Sequence, residues 1–311
     1  MSIDMNVVIN QMIMFFLMMS LGYLLYKKDI FDNHFLKKAT SFMLYVTMPA
    51  MMLASALDEE VEQNLHNFFL VFAIAAVMFF LLPFVGMLVA KIIGAKMENK
   101  GLYVFMIIFS NIGFMGFPIM DAMLGAEAVF YTAIFNMLFN ILVFTLGVKV
   151  INYPEKSEKK SLKQIILHPG VIGATLAIVI YILDLRIPKP IAGTINLIGG
   201  ITSPMAMLLV GAALAKLPIK NIFNEKRVYL FTFIKQFIIP VISWLIIKTF
   251  IDSEELRVIT LVMMCMPVAN TAVMFATEYE KNEELAAKSV FITTIVSLFS
   301  FPLTLWISNY L

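Results

Sequence analysis

The sequence predicts an all-α polytopic membrane protein, with ten transmembrane helices in two inverted five-helix repeats. Three observations predict it. Apolar residues make up 61% of the 311 residues and charged residues 14%, with a mean hydropathy of +0.89. Basic residues fall almost entirely in one alternate set of the links between apolar runs. Two proline-broken apolar segments, 110–118 and 266–271, occupy matching places in the two halves.

A soluble domain carries about 25% charge, so this composition leaves little chain for one. A membrane-crossing helix needs about 20 mostly apolar residues. Ten runs qualify: roughly 6–26, 37–57, 67–92, 101–123, 127–150, 165–184, 191–215, 227–250, 256–278 and 285–309. Residues 1–4 lack the basic region of a cleaved signal peptide, so the first run is expected to be a retained span. The longest link, 152–164, is polar and central. It is expected to join repeat 1–151 to repeat 165–311.

The links assigned to one side carry eighteen of the 23 Lys and Arg. The other side holds four, Arg186, Lys189, Lys248 and Arg257, and Lys235 lies inside span 8. The positive-inside rule places the rich side, with the 152–164 link, in the cytoplasm and both termini outside it. The acidic cluster Asp58, Glu59, Glu60 and Glu62 then reads as a solvated external loop.

Five spans per half is an odd number, so two halves of one fold must enter the membrane in opposite senses. Four landmarks recur at nearly one offset. Tyr23 to Ile30 resembles Tyr181 to Pro188, and Pro49 matches Pro204. Pro83 matches Pro240, and Asn111 matches Asn270. Inverted repeats place a substrate site near the midplane between them, and a matched pair of interrupted spans points to it.

The interruptions have a physical meaning. Pro removes a backbone donor and clashes one turn back, and Gly weakens a helix further. Freed backbone groups cost several kcal/mol in hydrocarbon unless they are buried in protein or line a cavity. Asn111, Gly113, Gly116 and Pro118 in span 4, and Pro267, Asn270 and Thr271 in span 9, are therefore the candidate substrate contacts. Pro118 suits the first position of a resumed helix. Met48 and Pro49 in span 2, with Ser203 and Pro204 in span 7, are candidates for the cavity wall.

Lys235 sits about eight residues into span 8, roughly 12 Å deep. Two readings stand. It snorkels to the inner interface, or it faces the cavity and draws an anion to the crossing. No Asp or Glu lies at the middle of a span, so a carboxylate proton relay has no candidate, and an anionic cargo is favoured over a cationic one. Sodium held by backbone carbonyls and Asn or Thr oxygens stays open. Asn10, Gln11, Asn136, Asn140, His168 and Asn196 read as hydrogen-bonding glue between helices.

Other classes are poorly served. Cys265 stands alone, the 24 methionines read as apolar filler, and the three His have no zinc spacing. There is no nucleophile–base pair or metal motif for an intramembrane enzyme, no basic stripe for nucleic acid, and no cofactor motif. A membrane sensor that binds without transporting stays open.

The motif Asn111-x-Gly113-x-x-Gly116-x-Pro118, then Pro267-x-Ala269-Asn270-Thr271 and Glu278-Tyr279, resembles the auxin efflux carrier family over the whole chain. Lys235 and Pro240 resemble the basic residue and proline of that family's eighth span. The resemblance implies the fold of bile-acid symporters and sodium/proton antiporters, with spans 1, 2, 6 and 7 as scaffold and the rest as transport domain. It implies that spans 4 and 9 cross beside a bound organic carboxylate, that one domain moves against the other like an elevator, and that a scaffold homodimer forms. The short central link resembles bacterial malate or malonate permeases, not plant exporters, and points away from auxin as cargo. Glu280 stands where the family often has Gly, which leaves the end of span 9 open. A sodium-coupled symporter of the bile-acid type is the alternative; the coupling ion, proton or sodium, is not fixed.

Overall fold

Apolar segments in hydrocarbon must satisfy their own backbone groups, and helices do this within one segment. The computed structural model describes residues 5–58, 61, 64–153, 167–185, 187–216 and 225–308, and these form helices joined by turns and loops, with one isolated antiparallel bridge. The first four residues, Glu59, Glu60, Glu62, Arg186, Lys220 and all but the first two residues of the central link lie outside the described residues.

Helix α1 is Met5–Lys27. Helix α2 (Asn33–Phe42) runs through a π turn, Met43–Thr47, into α3 (Met48–Leu57). Helices α4 (Leu65–Ile92) and α5 (Met97–Ile108) follow. A π turn at Ile112–Gly116 opens α6 (Phe117–Leu142), and another at Val143–Gly147 leads to α7 (Val148–Ile151). The second half holds α8 (Pro169–Leu183), α9 (Lys189–Gly200) and α10 (Thr202–Lys216). Helix α11 (Lys226–Phe233) passes through a π turn, Ile234–Ile238, into α12 (Ile239–Phe250). Helices α13 (Glu254–Cys265), α14 (Thr271–Glu278) and α15 (Glu283–Ser308) complete the chain.

Among the described residues, seven helical stretches are long and apolar enough to cross a membrane. The 40-residue stretch Ile112–Ile151 is one of them, and it is not straight. Gly125 adopts φ 74° and ψ −159°, a conformation open to glycine, and folds α6 back at that point. Helices α5, α8, α13 and α14 are each too short to cross alone.

Three π turns end two residues before a proline: Pro49, Pro118 and Pro240. Proline in a regular helix clashes with the carbonyl four residues back. Widening that turn removes the clash and keeps the helix continuous.

Helix packing is closest within two sets, and α6 packs against both. Helix α1 lies along α10, and α3 packs on α8 and α9. In the other group α4 pairs with α5, α12 with α13, and α15 with α11 and α14. The first group is joined by glycines at backbone contact. A methyl group on Gly22 would lie 2.1 Å from the Leu208 carbonyl oxygen, and one on Gly211 only 1.9 Å from that of Met19. Small residues allow this approach, which drives helix association where no hydrophobic effect acts between helices. The molecular centre is α5 and the α13 region: residues 101–112 are all buried. Outward faces carry bare apolar side chains such as Phe250, 80% exposed, and Leu197, 79% exposed, which suits contact with lipid and not with water.

Candidate functional site

The two broken segments meet. Helix α5 ends at Ile108 and the chain resumes as helix at Ile112; α13 ends at Cys265 and α14 starts at Thr271. The intervening stretches run antiparallel and bridge at Ser110 and Val268. The Asn111 N–H donates to the Pro267 carbonyl at 2.8 Å, and the Ala269 N–H donates to the Phe109 carbonyl at 3.1 Å. The Val268 N–H donates to Thr293 Oγ1 at 3.1 Å. Backbone groups that sequence reasoning left free are therefore bonded, four of them to the partner break. This is what allows extended chain in an apolar interior.

Four helix ends converge here, and they sort by sign. The C-termini of α5 and α13 carry partial negative charge, and the N-termini at Ile112 and Thr271 carry partial positive charge. Lys235 lies on the C-terminal side. It is 3% exposed, and its Nζ donates to Ser110 Oγ at 2.9 Å. A void of about 10 Å³ between Lys235, Ser110, Ile107 and Met264 is the size of one water. The ammonium thus faces two helix C-termini whose partial charge it compensates. The snorkelling reading fails because the side chain runs inward to the break. The cavity-facing reading is not met either, since Lys235 does not line the larger cavity.

That cavity, about 990 Å³, lies on the N-terminal side. Asn111 and Gly113 line it from one break, and Asn270 and Thr271 from the other; Met48 contributes a wall. Asn111 caps its helix by accepting the Phe114 N–H on Oδ1 at 3.3 Å, which turns Nδ2 over to other contacts. Asn111 Nδ2 and Thr271 Oγ1 are buried with no hydrogen-bond partner among the described residues. Such atoms are rare and call for an explanation.

The other sequence-predicted residues serve the frame. Gly116 packs against Ile112 and Met263, and Pro118 is buried one residue inside α6. Pro267 lies in the paired break. Pro49 abuts Gly173, where an added methyl would come within 3.0 Å of the proline Cα. Ser203 Oγ donates to Asp121 Oδ2 at 3.5 Å, and Pro204 is exposed.

Sequence reasoning missed Asn136 and Asn140, which line the cavity from α6. Asn136 is 3% exposed and its Nδ2 is unpartnered; Asn140 Nδ2 donates to the Asn136 carbonyl at 2.8 Å. Their spacing of four was visible, but it fits helix glue equally well. The fold-back at Gly125 is what brings them opposite Gly113, where an added methyl group would lie 3.7 Å from Asn136 Oδ1.

The cavity extends to the helix ends that carry Thr40, Lys216, Glu283 and Lys288. At the opposite ends the two groups of helices are bonded together. The Asn64 N–H donates to Tyr181 Oη at 2.6 Å, and Tyr131, whose Oη donates within α6 to Glu127 Oε1 at 2.9 Å, adjoins the Tyr181 hydroxyl. The Tyr181 ring stacks on Phe130 at 4.1 Å. Among the described residues, no group of three or more His, Cys, Asp or Glu could hold a metal ion.

The pattern has known relatives. A family model described as "Membrane transport protein" matches residues 7–307. An uncharacterized transporter of Methanocaldococcus jannaschii is 26% identical over 297 residues, 92% of this chain and 94% of that protein. A protein of Rhizobium meliloti named "Putative malonate transporter" is 22% identical over 294 residues, 91% of this chain and 90% of that one. An uncharacterized transporter of Escherichia coli K12 is 23% identical over 208 residues, 64% of this chain and 65% of that one. Paired broken helices, a polar-floored cavity and a family match across nearly the whole length agree: this chain belongs to the membrane transport protein family, that of the auxin efflux carriers which its motifs resemble.

Proposed function

We propose that this protein is a secondary transporter that moves a small organic anion, a mono- or dicarboxylate of malate or malonate size, across the plasma membrane. One observation carries the reading. Three buried, unpartnered donors (Asn111 Nδ2, Asn136 Nδ2 and Thr271 Oγ1) surround the cavity at two helix N-termini. Amide and hydroxyl donors at positive helix ends suit a carboxylate, which accepts at both oxygens. The name of the Rhizobium meliloti relative agrees with a small dicarboxylate.

In this reading the chain crosses the bilayer ten times. The paired breaks are the crossing of spans 4 and 9, each span made of two short helices. Repeat 1–151 and repeat 165–311 are inverted copies joined by the 152–164 link. The charge asymmetry sets both termini outside, so the cavity mouth at Thr40, Lys216 and Lys288 is cytoplasmic and the conformation is inward-facing. Spans 1, 2, 6 and 7 are the scaffold, supported by the Gly22 and Gly211 contacts. The remaining spans form the moving domain, an elevator whose outer side is closed by the Tyr181 contacts. A homodimer through the scaffold is part of the reading.

Sodium coupling is disfavoured by Lys235. Its ammonium already compensates the helix C-termini where a bound cation would do so.

Uptake into proteoliposomes tests the proposal. Asn111→Ala and Asn270→Ala are each expected to reduce malonate or malate uptake sharply while expression stays normal. Unchanged uptake in both variants would remove the crossing as the site, and saturable binding without flux would make the protein a sensor. Uptake that requires sodium would favour the symporter of the bile-acid type.

A further inference from the structure

A second polar group lies on the cavity wall, and it belongs to the other set of helices. His168 precedes α8 as its N-cap. Its Nδ1 accepts the Gly170 N–H at 3.2 Å. In a neutral imidazole one nitrogen accepts and the other carries the proton, so this bond places the proton on Nε2, away from the helix. The ring packs on Phe144 with centroids 5.4 Å apart.

His168 adjoins the asparagines. A methyl group on Gly170 would lie 2.5 Å from Asn140 Nδ2 and 3.4 Å from His168 Nδ1, so these two nitrogens are neighbours across the glycine. Asn140 and Asn136 are four residues apart on α6, about 6 Å at 1.5 Å per residue. His168 therefore stands roughly one helical turn from the unpartnered Asn136 amide. The N-terminus of the 15-residue helix α8 adds positive potential at the same place. Of the charged groups at the mouth, Glu284 is paired with Lys288 at 2.7 Å; Glu278, Glu283 and Lys216 complete the set.

We propose that His168, through Nε2–H at the start of α8, is a specificity-determining contact that receives the second carboxylate of a dicarboxylate held at its first carboxylate by Asn111 and Asn136. The inference rests on the carboxylate reading of the cavity. It assigns one anion contact to each set of helices: the asparagine floor moves with the crossing, and His168 stays with the scaffold. A three-carbon diacid spans the turn between them, and a monocarboxylate of equal length reaches the floor alone.

The test compares malonate with propionate, equal in carbon count but not in charge, by calorimetric titration of the purified full chain. His168→Ser and His168→Thr both keep a side-chain oxygen to cap α8 and remove the ring with its outward Nε2–H donor. Either variant is expected to weaken malonate binding about tenfold, the worth of one charge-assisted hydrogen bond, with propionate unchanged. Unchanged malonate binding in both variants, or equal weakening of both acids, overturns the assignment. Asn111→Ala and Asn136→Ala serve as controls and are expected to weaken both acids. If those controls change neither affinity, or if the wild type binds neither acid, the carboxylate reading itself falls and His168 with it.

Discussion

The backbone N–H of Asn111 donates to the carbonyl of Pro267 at 2.8 Å, across 156 positions of sequence. Each residue belongs to a stretch that could not remain helical. Each stretch satisfies the other, and Thr293 takes the N–H of Val268 between them. Thr293→Val keeps shape and removes that acceptor. It is expected to cost about 1–3 kcal/mol, the penalty of a buried unpaired N–H, and to lower uptake. Thermal unfolding in detergent beside proteoliposome flux measures both.

Lys235 and Ser110 form the counterpart on the C-terminal side. Ser110→Ala removes the hydroxyl acceptor of a buried ammonium and is expected to cost about 1.5–3 kcal/mol. Lys235→Met in the same chain removes the charge that needed it. The double variant is expected to be more stable than the sum of its parts, with a coupling of about 1–3 kcal/mol in a double-mutant cycle. Strict additivity would mean that the pair does not interact.

The contact between α1 and α10 tolerates no added atom. Gly211→Ala would set a methyl group 1.9 Å from a backbone oxygen, and backbone cannot turn aside as a side chain does. A loss of about 3 kcal/mol, the upper range for overpacking, is expected in detergent melts. Gly200→Ala is the control, since nothing lies within 4 Å of that position, and it should be tolerated.

Tyr181 joins the two helix groups at the end away from the cavity mouth. Tyr181→Phe with Tyr131→Phe deletes the hydroxyls and leaves the rings. If the proposed alternating access holds, the population is expected to shift toward the state in which this end opens and the cavity mouth closes. Cys265 is buried, so a cysteine introduced at Ala213 on the cavity wall reports alone. Its labelling rate from the side of the cavity mouth should fall in the double variant; an unchanged rate would show that these hydroxyls do not hold the closed side.

Glu255 opens α13 near Glu127. Burial, and then the Glu127 carboxylate, raise its carboxyl above the ordinary value of 4.5. Between the ordinary and the raised value, the folded chain holds a proton that the unfolded chain has released. Stability from this group is therefore present below that window and lost as pH rises through it. Glu255→Gln is expected to flatten that part of the pH dependence of the melting temperature. A curve parallel to wild type would exclude the residue as its source.

Much of the site was written in residue order, and part was not. Asn111, Asn270 and Thr271 were legible because Pro and Gly beside them forbid a regular helix. Lys235 was legible as an anomaly of charge, but its direction was not: depth along a helix says nothing about azimuth. Asn136, Asn140 and His168 looked like ordinary helix glue. Nothing local separates an amide that bonds a neighbouring helix from one that faces a cavity.

The sequence by itself determined that the chain is helical and apolar, and where its helices must break. These are local consequences of hydropathy, missing donors and steric clash. Only the tertiary structure decided that the two breaks bond to each other, that a lysine sits behind them, and that asparagines and a histidine stand in front. Those depend on which helix ends converge, and the decision was made by glycine contacts, a fold-back at Gly125 and the need to pair every buried backbone group.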